Sequence, residues 1–173
     1  MLPGKSKRID CEYKRKGTCT VFMAYDMDKG KRYAQVRKQR TKQDYAKFMD
    51  WVVKQNYSHV DKVVVVQDNL NTHKKGSLYE SLCKERAGEL AGLLEFHFTP
   101  KHGSWLNMAE IEFSALSRQC LNRRISSIEK LSQELKAWVK KRNKQKVKIS
   151  WSFTVDKARK TMASHYKNVN SKN

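Results

Sequence analysis

Near its start the chain switches from a period of two to a period of three to four, and the switch marks its first elements. Thr18 to Met27 alternates loosely between apolar and polar residues, Asp28-Lys29-Gly30-Lys31 has turn chemistry, and Arg32 to Gln39 alternates again, which predicts a β-hairpin. Tyr45, Phe48, Met49, Val52 and Val53 then recur at helical spacing. This predicts a helix over Thr41 to Gln55, with Thr41 and Asp44 placed to cap its start. Lys62 to Gln67 encloses four consecutive valines, the pattern of a strand buried on both faces. Gly76 to Ala87 reads as a helix, Leu93 to Phe98 as a strand, and Trp105 to Arg123 and Ser127 to Arg142 as two longer helices. Trp151-Ser152-Phe153 and a short helix to Tyr166 close the chain, with Trp51, Trp138 and Trp151 at core-like positions. Hairpin, helix, strand, helix, strand, helix is an α/β order, and the strand after each helix is expected to be parallel.

Composition fits one packed domain. The 173 residues are 39% hydrophobic and 10% aromatic, which excludes a disordered basic tail. Only two prolines and seven glycines occur and no repeat is visible, so no internal boundary is expected. No apolar run is long enough to cross a bilayer, and Met-Leu-Pro-Gly-Lys-Ser-Lys-Arg lacks the apolar stretch of a secretory signal, which points to a cytoplasmic protein with no membrane partner. Cys11, Cys19, Cys83 and Cys120 have no metal-binding spacing and read as reduced thiols.

Charge changes the picture more. Against 17 Asp+Glu stand 37 Lys+Arg, a formal net +20. The basic residues form three blocks, at 1–20, 29–47 and 129–150, which suggests a broad face for a polyanion rather than a detachable arm. A generically basic surface is the bland alternative, and charge alone does not choose between them.

Three carboxylates stand out. Asp68 ends the valine strand and opens the polar loop Asn69-Leu70-Asn71-Thr72-His73. In open α/β sheets functional groups gather at the carboxyl ends of strands, although an Asp there is as readily a turn cap. Glu110 and Glu112 flank the apolar stripe Ala109, Phe113, Leu116 and Cys120 of the next long helix, and helical geometry does not decide between them. One acid at a strand end and another in the first turns of a later helix can share Mg²⁺ or Mn²⁺, which take oxygen ligands and bridge to phosphate. Asn71, His73, Lys101, His102 and Trp105 lie in the loops beside these acids and are the candidate DNA contacts. No nucleophile pairs with His73 or His102, so structural roles weigh ahead of catalysis for both. His97 alternates with Phe96 and Phe98 and reads as a packed or half-exposed strand position. Trp105 either stacks on a base or covers a helix start.

Two long strings carry a resemblance. Asp68-Asn69-Leu70-Asn71-Thr72-His73 and the segment from Glu95 through Thr99-Pro100-Lys101-His102-Gly103-Ser104-Trp105-Leu106-Asn107-Met108-Ala109-Glu110-Ile111-Glu112-Phe113 resemble the DDE-superfamily transposases of bacterial insertion sequences related to the mariner group. Asp10 to Thr18, Arg40-Thr41-Lys42 and Leu116 to Ile125 fit the same pattern. The resemblance implies a ribonuclease-H-like mixed sheet flanked by helices. It also implies three metal-binding acids that cut DNA and join the ends to a target. Asp68 corresponds to the second acid. Leu106-Asn107-Met108-Ala109-Glu110 corresponds to the family's Leu-Asn-Pro-Ile-Glu, which makes Glu110 the third acid and leaves Glu112 as a fallback.

The first acid is where the match departs. In the family it is an Asp on a first strand upstream of the Glu-Tyr-x-Arg-x-Gly match. Only ten residues precede Cys11 here, and Asp10, Asp26 and Asp28 are poor substitutes. The family's N-terminal DNA-reading helix-turn-helix has no counterpart either. The expectation is an N-terminally truncated catalytic domain over 1–173 without its central first strand, with a basic helical extension from about 126 to 173. Its expected partners are transposon-end and target DNA, an upstream-encoded N-terminal half, and further copies of itself when active. A basic DNA-binding remnant without catalysis is the rival reading, and a chain that never folds stably is a third.

Overall fold

The computed structural model describes residues 17–100, 103, 106–152, 154–157, 159, 160 and 163. Strands β1 (Thr20–Asp26) and β2 (Lys31–Arg37) form the expected antiparallel hairpin, with Met23 opposite Ala34 and Asp26 opposite Lys31. Gly30 closes its turn at φ +62°, which favours glycine, and a Cβ there would lie 2.8 Å from Lys148 Cγ and push that side chain aside. Helix α1 (Lys42–Asn56) begins with the full capping box: the Thr41 side chain accepts from Asp44 N and the Asp44 side chain accepts from Thr41 N. Strand β3 (Val63–Gln67) leads to the short α2 (Gly76–Tyr79), then α3 (Lys84–Leu93), and β4 (Leu94–Phe98) lies parallel to β3 in the register Val65 to Phe96. Helices α4 (Met108–Leu116) and α5 (Ile128–Lys144) follow, joined through a π-helical turn at Ser117–Leu121.

Strand parity builds the layers. Phe22, Ala24 and Tyr33 turn one face of the hairpin toward α1, where they meet Tyr45, Phe48, Met49, Val52 and Val53. Val21, Met23, Ala34 and Val36 turn the other face toward Leu116, Leu135 and Trp138 of the α4–α5 side. The same α1 cluster continues under β3 and β4 through Val63, Val65, Leu90 and Leu94. The hairpin is thus covered on both faces and β3 on one.

That asymmetry corrects the valine strand, expected to be buried on both faces. Val64 and Val66 are 59% and 48% exposed, because the described helices cover only the face carrying Val63 and Val65. The single helix expected over Gly76 to Ala87 is two: Cys83 takes an extended backbone at ψ 154° and restarts the helix, which then runs to Leu93 on the stripe Ala87, Leu90 and Ala91. The helix expected from Trp105 starts at Met108, where the Asn107 side chain caps Ala109 N. Trp138 is buried and Trp51 packs on the α1 cluster as expected, but Trp151 is 37% exposed. The closing segment is helical at Val155–Lys157, while Phe153 and Tyr166 lie outside the described residues. Cys19, Cys83 and Cys120 are free thiols, and Cys11 lies outside the described residues.

Among the described residues the strands form two two-stranded sheets, β1–β2 and β3–β4, with no ladder between β1 and β3. Both rest on α1. Among the described residues no helix is long and apolar enough to cross a membrane.

Candidate active site at the strand ends

Asp68 follows the last residue of β3 and is partly exposed. A chain of contacts fixes its loop. The buried Gln67 accepts from Tyr45 Oη at 2.7 Å and donates through Nε2 to the carbonyl of His73 at 2.7 Å. The His73 ring lies against Tyr45, centroids 4.7 Å apart, and its Nδ1 meets Asp68 Oδ1 at 2.6 Å. Asn69 Nδ2 donates to the Thr99 carbonyl, and Thr99 N donates to Gln67 O, so the ends of β3 and β4 are tied together beyond the ladder. Burial pushes the Tyr45 hydroxyl well above its ordinary value, with Gln67 opposing and the Asp68 charge adding to the rise. The phenol therefore stays protonated, as its hydrogen bond to Gln67 requires. No described side chain engages the second oxygen of Asp68.

Glu110 stands in the first turn of α4, exposed, with its backbone N–H donated to Asn107 O. No described residue hydrogen-bonds its carboxylate. A negative charge in a first turn is favoured by the helix dipole, so its free carboxylate costs α4 nothing.

Glu112 is different in kind. It is fully buried, not a solvated flank residue. Arg32 grips it as a fork, Nε to Oε2 at 2.8 Å and Nη2 to Oε1 at 2.7 Å, and Arg142 grips the same oxygens at 3.1 and 3.0 Å. Arg32 Nη1 donates to Gly30 O, and Asn143 closes a two-way bond with the Arg32 backbone. The hairpin, α4 and α5 meet here. Burial pushes the Glu112 carboxyl up, but the two guanidinium groups outweigh it and hold it below the ordinary carboxylate value. With its lone pairs committed to two arginines, Glu112 is no metal ligand in this arrangement, and the fallback is set aside.

The substitutes for the first acid fare no better. Asp26 accepts from Tyr57 Oη at 2.5 Å and from Lys29 N at 2.8 Å, which makes it a structural acid that closes the hairpin turn onto α1. Asp28 lies in the turn itself, and Asp10 lies outside the described residues. Among the described residues no group of three or more His, Cys, Asp or Glu side chains is placed to hold a metal ion.

Of the loop residues, Asn71 is exposed, and His73 is engaged by Asp68 and Tyr45. Lys101, His102 and Trp105 lie outside the described residues. The sequence reading missed Gln67, whose signal was a lone amide ending a run of valines. It also missed Arg32 and Arg142, whose partner is remote in sequence and which carried no local signal.

No curated protein and no solved structure matches the chain. Residues 1–132 match the family described as DDE superfamily endonuclease, a span that includes β1 to β4, α4 and both Asp68 and Glu110. The chain belongs to the DDE superfamily endonucleases.

Proposed function

We propose that this chain is the catalytic domain of an insertion-sequence transposase related to the mariner group, cutting DNA and joining the ends to a target with Mg²⁺ or Mn²⁺ held by Asp68 and Glu110. The observation that carries the reading is the contrast among the acids. Asp26 and Glu112 are consumed by structural partners, while Asp68 and Glu110 keep free oxygens. Both are hard oxygen donors, the set that suits a hydrated divalent ion bridging to phosphate.

The bound ion would activate the attacking oxygen and stabilise the leaving one. The protein's own part is positioning. His73 fixes one oxygen of Asp68 and leaves the other without a described side-chain partner, and Gln67 and Tyr45 hold His73 in place. Asn107 sets the first turn of α4 and with it Glu110. The net charge of +20 draws the phosphate backbone in, with Asn71, His73, Lys101, His102 and Trp105 proposed from the sequence as DNA contacts.

The reading calls for a third carboxylate. In this proposal an upstream-encoded half supplies it on a strand between β1 and β3, a slot in keeping with α1 underlying both sheets and with no ladder joining them among the described residues. Both neighbours of that slot are packed on apolar layers, so the strand would be apolar with an acid at its end. In this reading the active particle contains further copies of the chain, works in the bacterial cytoplasm, and the chain alone is inactive.

The test mixes the chain with the upstream half, Mg²⁺ and labelled element-end DNA. Nicking that is abolished by Asp68→Asn and by chelator supports the proposal. Nicking that survives Asp68→Asn overturns the site. Salt-sensitive DNA binding without cleavage, indifferent to Asp68→Asn and to chelator, would favour the non-catalytic DNA-binding reading.

A further inference from the structure

The site described so far accounts for a scissile phosphate but not for what lies beside it. An open groove of about 770 Å³ begins at the residues that follow Asp68 and runs along β4. Leu70, Phe96 and Phe98 give it an apolar wall, and Gly92 near the end of α3 leaves space on the opposite side. Phe98 is 45% exposed and pairs with Gln67, the residue before Asp68, so an aromatic face stands one register position from the proposed catalytic acid. Lys74 and Lys75 stand at the lip, both exposed and with no ion pair to a described residue. The third lysine there, Lys62, is neutralised by Glu95 at 2.7 Å.

An apolar wall with an exposed aromatic ring and two uncommitted cations is the chemistry of a nucleotide site. Rings stack on bases of any sequence, and ammonium groups take the phosphates on either side. The volume falls within the range that holds small ligands. A bare peptide would satisfy the apolar wall but would leave the two lysines without partners. We propose that this groove receives one unpaired nucleotide of the DNA strand that crosses Asp68, its base on Phe98 and its flanking phosphates at Lys74 and Lys75. The proposal rests on the reading of DNA as substrate and names a subsite for it. A duplex would open by one nucleotide at this point, which favours strand ends and frayed steps, where unstacking costs least.

Gly92 allows a clean test. It lies in a helix that lines the groove, its φ is not positive, and a Cβ there meets nothing within 4 Å, so Gly92→Phe should crowd the groove at little cost to the fold. Binding is measured by fluorescence anisotropy for a blunt duplex and for the same duplex with a three-nucleotide overhang carrying 2-aminopurine. The wild-type protein should bind the overhang duplex more tightly and quench the analogue. Phe98→Ala and Gly92→Phe should each weaken the overhang complex about fivefold or more and abolish the quenching, leaving the blunt duplex unchanged. If both variants bind and quench like the wild type, the subsite is refuted while the DNA reading stands. If the wild type binds neither duplex, the DNA reading falls and the subsite with it. Circular dichroism of each variant confirms that the fold is intact.

Discussion

Replacing Glu112 with glutamine should unfold the chain far more readily than replacing either proposed catalytic acid. The carboxylate accepts four N–H···O bonds from Arg32 and Arg142, and both it and Arg32 are wholly excluded from water. Glutamine keeps the volume but removes the negative charge. Its NH₂ group must also face a guanidinium donor, so Arg32 is left as a buried cation without a counter-charge. Removing one partner of a buried pair costs about 3–5 kcal/mol. Arg142, at 14% side-chain exposure, can turn toward solvent and recover part of this, so about 3 kcal/mol is the expected loss. Arg142→Met should cost less, since Arg32 still neutralises Glu112. Urea denaturation followed by tryptophan fluorescence measures both.

The acid limb gives a second reading of the same interaction. The two arginines lower the Glu112 carboxyl below its ordinary value, so the folded state gives up that proton more readily than the unfolded one. The stabilisation is complete above the unfolded value of about 4.3 and disappears as pH falls through the lower folded value. The stability gap between wild type and Glu112→Gln should therefore narrow on acidification over that window. A loss under 1 kcal/mol, or a gap that stays constant from neutral pH to pH 3, would refute the reasoning.

Three further outcomes follow from the structure. Asp68→Asn and Glu110→Gln should each change unfolding stability by no more than about 0.5 kcal/mol, because neither side chain is buried, and a larger loss in urea denaturation would mean that they are structural. Thr41→Ala removes the capping box of α1 and should cost about 1 kcal/mol, read from the same curves. If an upstream-encoded half supplies the strand proposed between β1 and β3, adding it at a hundredfold excess over its Kd should raise the stability of the chain by about 2.7 kcal/mol, seen as a concentration-dependent Tm. A Tm indifferent to it would count against a strand between β1 and β3.

The hairpin, the capped α1 and the span of α5 were legible because each is written locally. Two-residue alternation, a 3.6-residue stripe and Thr41 three residues before Asp44 need no tertiary information. The parallel pairing of β3 with β4 followed from the helices between them. The exposure of Val64 and Val66 was not legible, since four valines look the same whether one face or two is covered. Nor was the break at Cys83, where an extended backbone divides a stretch that reads as continuous helix. At the proposed site, Asp68 was singled out by its strand end, and Glu110 was set ahead of Glu112 only by resemblance. What sets the two glutamates apart in the fold is Arg32, which binds Glu112 from a different element remote in the chain, and no window along the helix contains it. His73 was read as a loop residue beside Asp68, and the fold brings the two together. Its bond to Asp68 depends on Gln67 and Tyr45, which only the folded chain brings together.

The claim that Asp68 and Glu110 share a divalent ion can be measured on the chain itself. Mn²⁺ titrated into the ¹⁵N-labelled protein should broaden the amide resonances of Asn69 to His73 and of Met108 to Ile111 together, at the same metal concentration. The Asp68→Asn variant should lose both sets of effects at once. Broadening confined to one of the two segments, or unchanged in Asp68→Asn, would show that these carboxylates do not form one metal site.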